Sequence, residues 1–174
     1  MADLEPNDLT ARVFAYGSNM CSGRFRDYGV HPLRSGRPAI LRSHRLCFNK
    51  RSTKDGSGKA NVEPNEGTDV WGVVYDIPEH ELPGLIRKEV GYTPGCMPVE
   101  LTASLILDAW VLFASKPEQT VLHPYSWYLR FLIEGAIEYH LEDEYIEILR
   151  AIHATEDPDR ERDRSKRELQ CAQD

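Results

Sequence analysis

The sequence predicts an α+β fold in which the strands come first along the chain and the helices follow. Short segments rich in β-branched and aromatic residues occupy the first two thirds of the 174 residues. Apolar residues at helical spacing dominate the last third, from residue 127 onward. Because the two patterns do not alternate, we do not expect βαβ units. Several short strands can instead close into a small mixed β-barrel with flanking helices packed outside.

The predicted strands differ in how strongly the sequence marks them. Segment 12–16 is short and β-branched or aromatic, and segment 40–48 alternates so that His44 and Leu46 share one face. Segment 69–77, DVWGVVYDI, is the strongest signal, because near-continuous apolar content is typical of a strand buried on both faces. Further strands are predicted at 60–64, 97–105 and 107–114.

Helical periodicity is clearest near the C-terminus. Apolar residues recur every three or four positions from 127 to 141, which predicts a long amphipathic helix. A second helix follows, with an apolar stripe formed by Tyr145, Ile148, Leu149 and Ile152. Both stripes are interpreted as faces that pack on the core.

Two shorter helices are predicted nearer the N-terminus. Segment 20–27 can form one, with Ser18 or Asn19 as its N-cap. Segment 77–90 turns helical after the strongest strand, and Pro83 fits only in a first turn, so this helix is short.

The chain divides into a flexible N-terminus at 1–11, a folded domain at 12–154 and a charged tail at 155–174. The tail is nearly all charge of mixed sign, so we predict a solvated helix or disorder with few buried contacts. Truncation after Ala154 is therefore expected to cost little stability or activity.

Composition excludes several broad classes of protein. Hydrophobic residues make up 41% and charged residues 28% of the chain, close to the average of globular proteins. The formal net charge of −7 argues against a nucleic-acid partner, since that function usually needs a basic face. The start of the chain lacks the pattern of a signal peptide, and no window is apolar enough for a membrane span. We expect a cytoplasmic protein without a membrane partner.

The four cysteines, Cys21, Cys47, Cys96 and Cys171, do not have the spacing of metal ligands. In a cytoplasmic protein we expect free thiols, because that compartment keeps cysteines reduced. Their predicted role is packing rather than chemistry.

The segment FAYGSNM, residues 14–20, ends the first strand abruptly on small polar residues. One interpretation is a simple turn, with Gly17 at a positive φ and Ser18 or Asn19 capping a helix. The other is a nest of unpaired backbone amides that binds a carboxylate or a developing oxyanion. The segment is neither a P-loop nor a Rossmann fingerprint, because the defining lysine and glycines are missing.

The ordered set FAYGSNM, LRSHRLCFNK, GKANVEPNEGTDVWGVVYDI, LIRKEVGYTPG and HPYSWYLRFLIEGAIEYHLEDEYIEIL resembles the gamma-glutamylcyclotransferase family. The resemblance extends from about residue 12 to residue 152, and the YGSN loop and the GVVY strand are its most specific parts. It implies a small mixed β-barrel and a reaction that releases 5-oxoproline from a γ-glutamyl amine or amino acid. The substrate's own α-amine attacks the γ-carbonyl, so neither metal nor cofactor is required.

The resemblance also implies roles for particular residues. Glu89 would be the general acid and base, and Tyr125 would contact the substrate from a proline-containing segment. The substrate loop would comprise Phe14, Ala15, Tyr16, Gly17, Ser18 and Asn19. The implied partner is a small γ-glutamyl molecule, and a homodimer is compatible with this family.

Two departures from the family pattern bear on the site. Val90 separates Glu89 from Gly91, where the family often has glycine directly after the glutamate. Met97 stands where an aromatic residue is usual. Two alternatives therefore stay open: a catalytically altered binding or regulatory module, and an enzyme that removes a γ-glutamyl cap from a metabolite amine. Loop 50–59 and Met97 would then select the amine.

Overall fold

The structure is a computed structural model that describes residues 9–102 and 105–171. Its strands are β1 (Thr10–Ala15), β2 (Arg37–Leu41), β3 (His44–Arg51), β4 (Gly58–Pro64), β5 (Val70–Pro78), β6 (Tyr92–Thr102) and β7 (Leu105–Ala114). Its α-helices are α1 (Ser22–Asp27), α2 (Leu82–Lys88), α3 (Ser126–Glu138), α4 (Asp143–Arg150) and α5 (Arg160–Glu168). Two 3₁₀ turns precede α1 and α2, at Ser18–Met20 and Glu79–Glu81.

Five strands form a closed mixed barrel in the order β1-β5-β2-β6-β7. Antiparallel pairing joins most neighbours, and a parallel pair between Val13 of β1 and Trp110 of β7 closes the barrel. β5 lies between β1 and β2 and is buried along nearly its whole length, as its apolar sequence predicts. The predicted α+β fold, a small mixed barrel with flanking helices, is confirmed.

The predicted strand at 40–48 is two strands. Ser43 adopts a left-handed conformation, with a φ of 55°, and the chain turns there between β2 and β3. β3 and β4 then pair as a separate two-stranded sheet beside the barrel. β6 starts at Tyr92, five residues before its predicted start, and residues 103–104 of the predicted strand lie outside the described residues.

The helices agree with prediction except in their details. In α4, Ile146 is buried, whereas the predicted stripe residue Ile148 is 59% exposed. Neither Ser18 nor Asn19 caps a helix: Gly17 precedes the 3₁₀ turn and Cys21 precedes α1, without a capping bond from a side chain. None of the described helices is long and apolar enough to cross a bilayer.

The charged tail docks on the domain, so the prediction of few buried contacts is wrong. α5 itself buries no residue, as expected of a solvated helix, but the segments on either side of it are anchored. Asp157 is buried and accepts a hydrogen bond of 2.8 Å from the Trp127 indole. Cys171 is buried and forms a disulfide with Cys21, which corrects the prediction that these two thiols are free. Residues 1–8 of the predicted flexible N-terminus and 172–174 of the tail lie outside the described residues.

Candidate active site

The segment after β1 and the C-terminal end of α2 meet at one cavity. Glu89 is the C-cap of α2, and its Oε1 accepts a hydrogen bond of 2.6 Å from the Asn19 amide nitrogen. The two residues are 70 positions apart in the sequence. The fold therefore places a carboxylate against the loop that ends the first strand.

A tight turn after α2 fixes the position of Glu89. The Glu89 amide donates to Leu85 at 3.1 Å, and the Tyr92 amide donates back to the Glu89 carbonyl at 3.1 Å. Gly91 lies inside this turn with a φ of 83°, a conformation that glycine adopts without strain. Val90, which departs from the family pattern, is 54% exposed. Its side chain therefore does not need space in the packing beneath the turn.

The surroundings of Glu89 raise its pKa. Burial is the largest cause, because it removes the ionised carboxylate from water. The hydrogen bond from Asn19 and the positive charges of Arg24 and Lys50 favour the ionised form and offset part of this effect. The net effect is a raised pKa for Glu89, which brings it closer to the pKa of an amine and so favours proton transfer between the two groups.

Gly17 allows a close approach of the loop to α3. Its φ is −110°, so the predicted positive φ is wrong. A Cβ at this position would lie 3.2 Å from the Tyr128 hydroxyl and 3.3 Å from the Ala60 Cβ, tighter than ordinary van der Waals contact. Within the described part of the chain, the amides of Gly17, Ser18 and Asn19 are paired with no acceptor. Such amides at the start of a helical turn are available to an anion.

Three tyrosines surround this loop with their hydroxyls directed to backbone groups; Tyr16 and Tyr128 are buried and Tyr92 is partly buried. Tyr16 donates to the Leu112 carbonyl, and Tyr92 donates to the Ala60 carbonyl at 2.7 Å. The Tyr128 hydroxyl accepts a hydrogen bond of 3.2 Å from the Ala60 amide. Burial raises the pKa of all three phenols, that of Tyr128 to about 12, so each is neutral near pH 7.

Most of the site residues predicted from the sequence line this cavity. Its lining includes Glu89 and the whole predicted loop, namely Phe14, Ala15, Tyr16, Gly17, Ser18 and Asn19. Tyr125 is not part of the lining: its hydroxyl donates to the Asp55 carbonyl at 3.1 Å. Met97 does not line the cavity either, and packs instead beside the core of the barrel.

Among the cavity-wall residues that sequence reasoning missed are two tyrosines, Tyr92 and Tyr128. Tyr128 lies three positions after Tyr125 in the same motif, close to one helical turn further along. The apolar spacing of α3 is a signal for its inward face, and Tyr128 lies on that face with Phe131 and Leu132. Across residues 9–102 and 105–171, His, Cys, Asp and Glu form no group of three suited to a metal ion.

Residues 69–149 match the AIG2-like family. Among solved structures, the chain is similar to an uncharacterized protein from Homo sapiens, with 26% identity and a TM-score of 0.74 over 84% of this chain and 89% of that one. A gamma-glutamyl cyclotransferase shares the fold, with 22% identity and a TM-score of 0.79 over 92% of this chain and 99% of that one. YkqA from Bacillus subtilis has 25% identity and a TM-score of 0.71, over 83% of this chain and 56% of that one. No curated protein matches the sequence.

Proposed function

Because residues 69–149 match the AIG2-like family and the chain shares the fold of a gamma-glutamyl cyclotransferase, we propose that it is a gamma-glutamylcyclotransferase-like enzyme. Its reaction is the release of 5-oxoproline from a γ-glutamyl amine or amino acid. The observation that carries the proposal is the 2.6 Å hydrogen bond between Asn19 and Glu89, which joins a partly buried carboxylate to the candidate substrate loop. The chemistry is that of a lyase-type acyl transfer within one molecule.

Glu89 acts as base and then as acid in this mechanism. The α-ammonium of the substrate has a pKa of roughly 8 and must lose a proton before its nitrogen can attack. The Glu89 carboxylate accepts that proton, and the nitrogen forms a bond to the γ-carbonyl carbon. The tetrahedral intermediate collapses as the bond to the leaving amine breaks. Glu89 returns this proton to the leaving nitrogen, then takes the second proton that the attacking nitrogen loses as the lactam forms and passes it to the freed amine, which leaves as an ammonium. The carboxylate is regenerated and no water is consumed.

The loop amides supply the remaining stabilisation. Nucleophile and electrophile belong to one molecule, so the enzyme mainly holds the folded conformer of the γ-glutamyl group. Amides of Gly17, Ser18 and Asn19 are the available donors for the α-carboxylate or for the oxyanion. The neutral tyrosines around them exclude water, which strengthens each of these hydrogen bonds.

The test compares two substrates that differ only at the attacking nitrogen. Purified protein is incubated with γ-glutamyl-alanine and with its N-acetyl derivative, and the products are separated by liquid chromatography. We expect 5-oxoproline and alanine from the first substrate and no product from the second, since its nitrogen cannot attack. Saturable binding of γ-glutamyl-alanine without product would instead favour the binding module.

A further inference from the structure

A larger chamber lies outside the candidate active-site cavity and shares four wall residues with it. These are Ser18, Glu89, Tyr92 and Tyr128. The chamber has a volume of about 450 Å³. If the γ-glutamyl group occupies the inner cavity against the loop, the leaving amine projects past Glu89 into this chamber. The chemistry of the chamber wall therefore bears on the leaving amine.

The chamber wall is strongly basic in a chain of net charge −7. Its three acidic residues are Asp27, Asp55 and Glu89. Its six basic residues come from α1, β3, β4, α2, α5 and the loop between β3 and β4: Arg24, Lys50, Lys54, Lys59, Lys88 and Lys166. Clustered charge of one sign at a cleft concentrates ligands of the opposite sign.

Several of these cations have no carboxylate partner. Lys59 pairs with Asp55 at 3.1 Å, and Arg24 lies 3.7 Å from Asp27. Within the described residues, Lys50, Lys54 and Lys166 form no salt bridge. The chamber wall therefore contains three ammonium groups that are not paired with a carboxylate.

The surroundings of two of these lysines, Lys50 and Lys166, disfavour the charged ammonium, and an anion would offset that effect. Burial lowers the pKa of Lys50, and burial together with the nearby charge of Arg24 lowers the pKa of Lys166. The Nε of Arg24 is buried and has no hydrogen-bond partner among the described residues. An anionic ligand would pair with these donors and offset their mutual repulsion.

We propose that the natural leaving amine carries two or more negative charges, as a dicarboxylic amino acid or an amine with a phosphate monoester does. This inference rests on the proposed function, because it concerns the part of the substrate that the reaction releases. The free ammonium groups of Lys54 and Lys166 bind the outer anion, and the same charge disfavours polyamines and other cationic amines. Met97 and most of the barrel play no part in this selection.

The experiment uses two matched pairs of substrates. γ-Glutamyl-glutamate is compared with γ-glutamyl-glutamine, and γ-glutamyl-phosphoethanolamine with γ-glutamyl-ethanolamine. In each pair we expect kcat/KM to be about tenfold higher for the substrate with the extra anion, an advantage that falls as salt screens the charges. The pair with the larger ratio identifies the carboxylate or the phosphate as the preferred anion.

Variants assign the effect to the chamber. The double variant Lys54→Gln/Lys166→Gln should lower the ratio of kcat/KM between the members of a pair by about tenfold, in line with the loss of two charged contacts. Lys116→Gln is the matched control, because this exposed lysine lies outside the chamber, and its ratio should equal that of the wild type. Melting temperatures establish that each variant is folded.

The outcomes separate the two levels of the proposal. Equal or faster turnover of the members that lack the extra anion, in both pairs, would overturn the anionic leaving amine and leave the cyclotransferase standing. A ratio that is unchanged in the double variant would also overturn the role of these lysines. Absence of 5-oxoproline from all four substrates would overturn the proposed function, and the inference with it.

Discussion

At the scale of single residues, Glu89 combines burial with contacts that favour its charge. Burial raises the pKa of the carboxyl, and the hydrogen bond from Asn19 favours its ionised form and offsets part of that shift. A proton acceptor for an amine needs both properties, because its pKa must rise without losing the ability to ionise. Because burial and the hydrogen bond act in opposite directions on the ionisation of Glu89, we expect substitution of this residue to affect activity and stability differently.

We predict that Glu89→Gln removes activity without loss of stability. Glutamine keeps the volume but cannot accept the proton, so turnover should fall by roughly a hundred- to ten-thousandfold. A pKa raised by folding means that ionisation of Glu89 destabilises the native state as pH rises through that pKa, so the neutral variant should melt at an equal or higher temperature at pH 8. Glu66→Gln, at an exposed position, is the control. Retention of more than about a tenth of wild-type turnover would identify another group as the base.

We predict that Asn19→Ala shifts the acidic limb of the pH–rate profile to higher pH. The lost hydrogen bond favours the ionised carboxylate, so its removal raises the pKa of Glu89 further. The base is then protonated over a wider range, and kcat/KM begins to fall at a higher pH. Steady-state rates from pH 5 to pH 9 measure the shift. A limb that stays in place or moves down would show that Asn19 does not act on Glu89.

We predict that Gly17→Ala impairs turnover more than Ser18→Ala. The added Cβ would press on the Tyr128 hydroxyl and on Ala60, and so displace the amides of the loop. Ser18 provides its amide with any side chain, so alanine there should cost at most about 1 kcal/mol. Rates are expressed per folded molecule, with the folded fraction taken from a thermal melt. Equal specific activity for Gly17→Ala and wild type would leave the loop as a turn alone.

At the scale of elements, the segment after α4 is anchored to α3 by a buried carboxylate. Asp157 accepts hydrogen bonds from the Trp127 indole and, at 2.7 and 2.5 Å, from the Arg162 guanidinium. Burial opposes ionisation of Asp157, but these donors outweigh it and lower its pKa. The carboxylate therefore links the start of α3 to α5.

We predict that Asp157→Asn destabilises the protein by about 1–3 kcal/mol, the range for a buried hydrogen bond to a charged group. Because folding lowers the pKa of Asp157, its contribution is present at neutral pH and is lost as pH falls through the folded value. The difference between variant and wild type should thus narrow in acid. Urea unfolding at pH 7 and pH 3 measures it, with Asp108→Asn as an exposed control. A difference that does not depend on pH would contradict the ionic role.

Most elements were predictable from local patterns, and the errors have local causes. Alternation of apolar residues continues from β2 into β3, so the pattern does not mark the turn at Ser43. In α4, the choice between Ile146 and Ile148 depends on which face meets α3, and periodicity over two turns does not fix that face. Charge density predicted an exposed α5 correctly, but it carried no information on the anchors at Asp157 and Cys171.

The candidate site was predictable only in part. The resemblance pointed to Glu89 and to the loop 14–19, which the fold brings to one cavity. Contacts over long separations, such as that of Tyr128 with Ala60, depend on how α3 packs and have no local signal. The same applies to the hydroxyl of Tyr125, which the fold directs to Asp55 and away from the cavity.

At the scale of the whole molecule, one disulfide ties the C-terminal segment to the end of the candidate substrate loop. Cys21 directly follows the 3₁₀ turn of the loop, and its partner Cys171 is 150 positions away. The Gly23 amide donates to the Cys171 carbonyl at 2.8 Å, and the Ser22 hydroxyl donates to it at 2.6 Å. The tail and the loop thus form one packed unit, and this unit carries Lys166 to the chamber.

We predict that Cys171→Ser lowers the free energy of unfolding by about 2–5 kcal/mol, because a cross-link over a long loop restricts the unfolded chain. Truncation after Ala154 should cost at least as much, contrary to the expectation from the charge pattern of the tail. Cys96→Ser, at an exposed free thiol, is the control and should melt like the wild type. Denaturant titration under oxidising conditions measures all three. A melt of Cys171→Ser that matches the wild type would contradict the structural role of the bond.

The measurement that tests the central claim most directly is the origin of oxygen in the product. γ-Glutamyl-alanine is turned over in water enriched in ¹⁸O, with the Glu89→Gln variant as the blank for spontaneous reaction. Intramolecular attack consumes no water, so the account predicts 5-oxoproline without the label, formed at the rate of alanine release. Glutamate that carries ¹⁸O in its γ-carboxylate would show hydrolysis by water, and would contradict the cyclotransferase mechanism.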